Sequence, residues 1–274
     1  MAQPRLMSFM SKRRVLSIAL SIAGSDSGGG AGVQADLKTF AALGVHGVTA
    51  ITCLTAQNPR GVLGIQASSP AMLRKQIEAV FDELPPAACK TGMLFSSSLI
   101  GVVAEFFRAR RRPPLVVDPV MIATSGAPLL QPAAVKRIQR ELLPLAVLVT
   151  PNRDEAELLT GLRVIDEEGL RRAARVLHER FGCAALVKGG HLRGAREAVD
   201  IFFDGQTELM LCAPFVRGVS THGTGCTYSA AITARLAQGA SVIESVKAAK
   251  EFITQAIAQS DRAGGHDVLN PFWR

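Results

Sequence analysis

Ser220-Thr221-His222-Gly223-Thr224-Gly225-Cys226-Thr227-Tyr228-Ser229 is followed at once by an apolar run of helical length, Ala230 to Leu236. Glycine lets a backbone turn sharply and approach a ligand closely. The first amides of a helix lack intrahelical acceptors and carry the positive end of its dipole, which suits a phosphate. Cys226 falls in that first turn, where a thiol pKa of about 8.5 is expected to drop toward neutrality. One turn of chain therefore offers an anion cradle, Gly223-Thr224-Gly225, beside a base. The plainer reading is an ordinary turn with Cys226 as a small packing residue, and the stretch alone does not separate the two.

Outward from this stretch, apolar runs of strand length alternate with segments of helical period. Strands are expected at 15–23, 47–55, 87–91, 115–118, 146–150 and 184–188, and a hairpin at 198–204 and 207–212, split by Asp204-Gly205. Helices are expected at 31–43, 70–81, 96–110, 132–143, 154–160, 167–180, 226–237 and 242–259, with Ser69-Pro70 as cap and first position of the second. Such alternation implies a largely parallel sheet with helices on both faces. The residues that stand out chemically follow strands: Gly24–Gly32, Thr55–Asn58, Asp118–Met121, Thr150–Asn152 and Lys188–His191. Open α/β sheets bind ligands at the carboxyl ends of their strands. That agreement raises the glycine stretch above a mere turn.

The chain has 274 residues, 48% hydrophobic and 20% charged, a balance that suits a folded core rather than disorder. With no long linker, the reading is a basic tail over 1–14 and a single domain over 15–274. The run 15–23 leads into a glycine loop, so it reads as a first strand and not a signal peptide. No apolar run approaches membrane length. The net charge is +8, with a basic cluster at Arg108, Arg110, Arg111 and Arg112 read as solvated surface. One Trp and one Tyr give no stacking platform for nucleic acid. Five widely spaced cysteines without a Cys-x-x-Cys argue against zinc or a disulfide framework and for a reducing cytoplasm. Cys53, Cys89, Cys183 and Cys212 read as core.

Several residues carry two readings. Asp36 can bond a hydroxyl or ring nitrogen, or can be an ordinary first-turn acid. Asn152 and Glu155 can hold Mg2+ through its waters, or form a capping box. Lys188, ending a buried strand, can meet a nucleotide phosphate, or emerge into solvent. Gln57 offers one donor and one acceptor, matching an aminopyrimidine edge, or bonds a neighbouring backbone group.

Taken together, the segments Ala23–Thr39, Thr55–Asn58, Lys90–Leu94, Asp118–Met121, Thr150–Asn152, Lys188–His191 and Thr221–Thr227 resemble the hydroxymethylpyrimidine/phosphomethylpyrimidine kinases of thiamine biosynthesis, within the ribokinase-like superfamily. The resemblance runs in order from about Leu20 to Gln259. It implies a three-layer α/β/α fold, a homodimer, and ATP with Mg2+. It also implies two successive phosphorylations of 4-amino-5-hydroxymethyl-2-methylpyrimidine to the diphosphate. Gln57 is then the pyrimidine reader, with Gly24, Asp36, Met93 and Val120 around it. Cys226 stands where most ribokinase-like sugar kinases carry an aspartate base, with Gly223, Thr224 and Gly225 as the anion hole; Asn152, Glu155 and Lys188 serve the nucleotide and metal. The chain departs from the family pattern at Gly28, Arg153-Asp154, Val219 and Ser220. The alternatives are a pyridoxal kinase of the same superfamily, whose members can carry methionine at the position of Gln57, and a non-catalytic pyrimidine sensor.

Overall fold

A computed structural model describes residues 14–109, 112–121, 130–190, 192, 197–216, 218–219 and 222–273. Most of the expected tail, the arginines at 110 and 111, His191, Ser220 and Thr221 lie outside these residues.

Nine strands form one sheet in the order β3-β2-β1-β4-β5-β6-β7-β8-β9. The six central strands are parallel: β2 (His46–Asn58), β1 (Ile18–Asp26), β4 (Ala88–Thr91), β5 (Leu115–Val117), β6 (Leu148–Val149) and β7 (Ala184–Lys188). Antiparallel hairpins close both edges, β2 with β3 (Gly61–Ala67) and β7 with β8 (Glu197–Phe203) and β9 (Glu208–Pro214). The expected three-layer α/β/α architecture is present, because successive strand residues face opposite sides. Leu20, Ile22, Cys89 and Val117 pack with α2 (Pro70–Glu83), α3 (Ser97–Phe107), α5 (Arg153–Thr160) and α6 (Glu167–Phe181). Ala19, Ala88, Val116 and Leu186 pack with α1 (Gly32–Ala42), α7 (Thr224–Ala237) and α8 (Val242–Ala258).

The differences from the sequence reading have local causes. β1 runs on to Asp26 after a register shift between Ala23 and Ser25. β3 escaped notice because all seven of its residues are exposed, so no apolar alternation marks it. The helix expected over 132–143 is α4 (Pro132–Arg137), continuing into a π-turn over Ile138–Leu142 and a short 3-10 turn, Leu143–Leu145. Pro144 lacks the amide an α-helix needs there. A small hairpin near the end, β10 (Asp261–Ala263) with β11 (His266–Val268), was not expected. Arg112 is not a solvated charge: its guanidinium lies 3.9 Å from the centre of the Phe106 ring. Cys212, expected in the core, is exposed on β9, whereas Cys53, Cys89 and Cys183 are buried.

The α7 face of the sheet carries a buried polar cluster. Ser21 and Lys90 are register partners on β1 and β4. Ser21 Oγ donates to Asp36 Oδ2 at 2.5 Å, and Lys90 Nζ donates to Asp36 Oδ1 at 2.7 Å. This triad is fully buried and ties α1 to the two strands at the middle of the sheet. Among the described residues, no helix is long and apolar enough to cross a membrane.

Candidate active site

The carboxyl ends of the parallel strands open into one cavity of about 550 Å³. Its first wall is the glycine loop after β1. Asp26 organises that loop by accepting from the amides of Gly28 (2.8 Å), Gly30 (3.1 Å) and Ala31 (2.8 Å). Burial works against the Asp26 charge, but His222 and these amides outweigh it and hold its carboxyl below the usual range. The second wall is the start of α7. Gly223 caps it with φ +82°, and a β-carbon there would overlap the Gly30 carbonyl oxygen. Only glycine meets both demands. The helical ladder begins with Thr227 N–H donating to Gly223 O at 2.9 Å, so the preceding turn, Thr224–Cys226, directs its amides to the helix end.

Gly24, Gln57, Met93 and Val120 line one end of the cavity. Gly24 has no room for a side chain: a β-carbon would come within 2.8 Å of Met93 Cε and 2.9 Å of Cys53 Sγ. Val120 has φ +40°, a conformation a β-branched residue adopts only under constraint, and such strain gathers at ligand sites. The Gln57 carboxamide is half-buried. Its Oε1 lies 3.2 Å from the Thr55 hydroxyl and its Nε2 lies 3.5 Å from His222 Nε2. Ser27, hydrogen-bonded to the Gln57 backbone at 2.8 Å, keeps the glycine loop against β2.

The middle of the cavity is ionic. Lys188 Nζ lies 3.1 Å from Asp118 Oδ1, which also accepts from Thr150 Oγ1 at 3.1 Å. Burial opposes the Lys188 charge, yet Asp118 and Glu155 raise its pKa, so it stays an ammonium. Asn152 and Glu155 form the capping box of α5. Asn152 Oδ1 accepts from Glu155 N at 2.9 Å, and Glu155 Oε2 accepts from Asn152 N at 2.9 Å. Glu155 Oε1 accepts from Met121 N at 3.0 Å. Burial pushes the Glu155 carboxyl up to about 7, helped by Asp118 and opposed by Lys188.

Both residues therefore serve the cap, and both line the cavity. Each Glu155 oxygen spends one lone pair on an amide and keeps another. Among the described residues there is no cluster of three or more carboxylate, thiol or imidazole ligands. The donor set fits a hydrated Mg2+ held through few protein oxygens and does not fit a direct protein cage.

Two expectations need correction. Asp36 does not reach the cavity: it is fully buried, and Ser21 and Lys90 occupy its two oxygens. Cys226 is at the helix N-terminus, but its thiol is not acidified. Burial pushes it up to about 11, against the pull of Lys90; Asp36 and Asp118 add to the rise, and the Gly32 amide opposes it. Desolvation of the thiolate outweighs the helix dipole.

Sequence reasoning assigned no role to Asp26, Lys90 or Asp118; only the placement of Asp118 at a strand end hinted at one. It also missed the far end of the cavity, where Ala213, Pro214, Val216, Ile253 and Ile257 form an apolar slot. There Lys250 Nζ donates to Asp200 Oδ2 and to Ala198 O, each at 2.8 Å.

The family model described as phosphomethylpyrimidine kinase matches residues 26–270. A hydroxymethylpyrimidine/phosphomethylpyrimidine kinase from Rhizobium meliloti (strain 1021) is 51% identical over 247 residues, covering 90% of this chain and 92% of that protein. A solved ADP complex of Bacillus subtilis pyridoxal kinase superposes with a TM-score of 0.85 at 36% identity, over 93% of this chain and 97% of that one. A phosphomethylpyrimidine kinase from Clostridium difficile 630 superposes with a TM-score of 0.79 at 41% identity, over 88% of this chain and 99% of that one. The chain belongs to the phosphomethylpyrimidine kinase family.

Proposed function

We propose that this member of the phosphomethylpyrimidine kinase family uses ATP to phosphorylate 4-amino-5-hydroxymethyl-2-methylpyrimidine, and then its monophosphate, in thiamine biosynthesis. The observation that carries this reading is a single cavity with Gln57 at one end and the Gly223–Cys226 turn facing Lys188 in its middle. The pyrimidine lies against Gly24, Met93 and Val120 with its amino edge on Gln57. The nucleotide base takes the apolar slot beside α8, and the γ-phosphate lies at the start of α7.

Phosphoryl transfer asks chiefly for positioning and charge neutralisation. The amides of Gly223–Cys226 and the Lys188 ammonium hold the transferring oxygens. Asn152 and Glu155 would hold Mg2+ through its waters; bound there, the ion neutralises charge on the phosphates. In the first step the hydroxymethyl oxygen bonds to the γ-phosphorus, the bond to the β-phosphate oxygen breaks, ADP leaves, and the hydroxyl proton passes to the Cys226 thiolate. In the second step the nucleophile is a phosphate oxygen that is already ionised.

A thiol whose pKa is near 11 is mostly protonated at neutral pH, so the active thiolate fraction grows as pH rises. The first phosphorylation is expected to accelerate about tenfold per pH unit between roughly pH 7 and pH 9, and the second to stay flat. Cys226→Ala should cost the first step about 10²–10⁴ in rate and flatten its profile, with a smaller loss in the second. Stopped-flow measurement of each step separately tests this, and equal losses in both would remove the base role.

The metal reading separates from the cap in Glu155→Gln. The variant is expected to need more Mg2+ for half-maximal rate while pyrimidine affinity stays nearly unchanged. Burial of Glu155, which outweighs the lowering by its cap hydrogen bonds, predicts a pH effect on stability instead. A carboxyl whose folded pKa is raised above its unfolded value favours the folded state at low pH, and that contribution fades as pH rises from about 4.5 to about 7. A shift in the pH dependence of Tm, with an unchanged Mg2+ requirement, would leave Glu155 as cap alone.

The fold alone does not choose between the pyrimidine and pyridoxal, since solved structures named for each superpose, whereas the 51% identical relative is named for the pyrimidine. Gln57 favours the pyrimidine. Pyridoxal lacks the paired amino and ring-nitrogen edge and leaves the carboxamide short of a partner, at about 1–3 kcal/mol, or roughly ten- to a hundredfold in discrimination. Gln57→Met is expected to lower kcat/KM for the pyrimidine and narrow its advantage over pyridoxal. An unchanged ratio of the two kcat/KM values would move the preference elsewhere in the pocket.

The homodimer has support on the open edge of the sheet. Leu54, Val62, Leu63 and Ile65 of the β2–β3 hairpin are exposed, Leu63 at 82%. An apolar edge strand invites pairing. Val62 and Ile65 also reach the cavity mouth, so a second copy on this edge would finish the pyrimidine end. Sedimentation velocity at micromolar protein should give the dimer mass; a monomer would remove it. The free cysteines suit the cytoplasm.

A further inference from the structure

Gln57 suits an aminopyrimidine only when the correct end of its carboxamide faces the correct atom. The two ends have nearly the same shape. Turning the group by 180° exchanges donor for acceptor and leaves the packing unchanged, so the hydrogens around it decide its orientation. Ser27 fixes the backbone of Gln57, donating to its carbonyl and accepting from its amide, each at 2.8 Å. The carboxamide itself is flanked by Thr55, 3.2 Å from Oε1, and by His222, whose Nε2 lies 3.5 Å from the Gln57 Nε2 position.

Thr55 accepts either orientation. Its hydroxyl has one proton and two acceptors within reach, Ser25 O at 2.8 Å and the Gln57 carboxamide at 3.2 Å. With the proton on Ser25 O, the Thr55 oxygen accepts from a carboxamide N–H; with the proton turned to Gln57, it donates to a carboxamide oxygen. His222 does not have this freedom. Its ring is set against the glycine loop: a β-carbon on Gly30 would lie 2.9 Å from His222 Cδ2, and Asp26 Oδ2 lies 3.6 Å from the same Nε2 that faces Gln57. A carboxylate favours a proton on the nitrogen nearest to it. That proton, carried by the charged ring or by the neutral tautomer, attracts a carboxamide oxygen and opposes a carboxamide N–H.

We propose that His222, paired with Asp26, is the positioning residue that turns the Gln57 carboxamide so that its oxygen faces His222 and its nitrogen faces Thr55. The orientation matters because the hydroxymethyl arm must reach the amides that begin at Gly223, the residue after His222. The amino group stands on the ring carbon beside that arm, and the acceptor nitrogen is one ring atom further away. The amino donor therefore comes to the carboxamide end nearer His222, and the ring nitrogen to the end nearer Thr55. The reverse orientation fits the 4-oxo analogue, which presents a carbonyl oxygen beside a ring N–H. His222 thereby separates two ligands of nearly the same shape. The inference rests on Gln57 meeting the pyrimidine edge and is independent of the role of Cys226.

The test is a double-mutant cycle read by calorimetry on the nucleotide-free protein. The probes are 4-amino-5-hydroxymethyl-2-methylpyrimidine and its 4-oxo analogue, and the readout is the ratio of their Kd values. The proteins are the native chain, His222→Leu, Gln57→Leu and the double variant. The His222 side chain is 33% exposed, so leucine there leaves the core intact. The native chain should prefer the amino compound, and His222→Leu should narrow that preference roughly tenfold, because the carboxamide then turns freely. In the Gln57→Leu background the same change at 222 should leave the ratio alone. An unchanged ratio in His222→Leu, even with both affinities lowered, overturns this inference and leaves Gln57 as the reader. An unchanged ratio in Gln57→Leu overturns both. An effect of His222→Leu that is equal with and without Gln57 places His222 directly on the ligand and overturns its positioning role.

Discussion

The cavity depends on one close approach, the backbone of Gly223 against the Gly30 carbonyl. Glycine at 223 lets α7 begin directly over the end of β1, with its first amides aimed at the space between two loops. Asp26 fixes the other side by gathering three amides of the glycine loop. His222, 3.6 Å from Asp26, stands at the seam. A side chain at Gly223 would separate the loops and turn the anion cradle away from Lys188. The remaining features follow from that contact: the parallel strands deliver Lys188, Asp118 and Gln57 to the same rim.

The architecture was legible because it rests on repeated apolar runs. β7 and α6 have strong periods and clear caps, and their bounds fell within a residue of expectation. β3 was not legible, since an exposed edge strand has no buried face to impose alternation. The site residues were legible as a set of strand ends, without their partners. Asp36 shows why. An acid in a helix looks the same whether it meets substrate or a lysine 54 positions later in the chain, and the latter is what the fold supplies. Cys226 shows the limit of a local rule. A helix N-terminus acidifies a well-hydrated thiol, and the partial burial of Cys226 at the cavity wall outweighs that pull.

The electrostatics of the cavity also explain why a capping box lines it. In the proposed reading Asp118 and Glu155 lie where the polyphosphate would come, with Lys188 between them. Two carboxylates near a triphosphate repel it unless a divalent cation shares the space. Burial weakens that repulsion by raising Glu155 to about 7, so near neutral pH the residue stands between charged and neutral forms. Its backbone bonds keep it in place in either form. A cap and the proposed metal contact are therefore compatible uses of one carboxylate, since the helix uses one lone pair of each oxygen and leaves another.

The same logic orders the ammonium groups. Lys188 meets the cavity, and in the proposed reading it exchanges Asp118 for phosphate. Lys90 cannot exchange partners, because Asp36 and the sheet enclose it. A lysine at the cavity can exchange partners, whereas one enclosed with its carboxylate fixes α1 against β1 and β4. The two lysines stand on strands of the same sheet, on the same face, and differ chiefly in burial: Lys188 ends its strand, and Lys90 stands one residue short of the end of its own. That single residue of depth separates a charge that meets ligand from one that serves the protein.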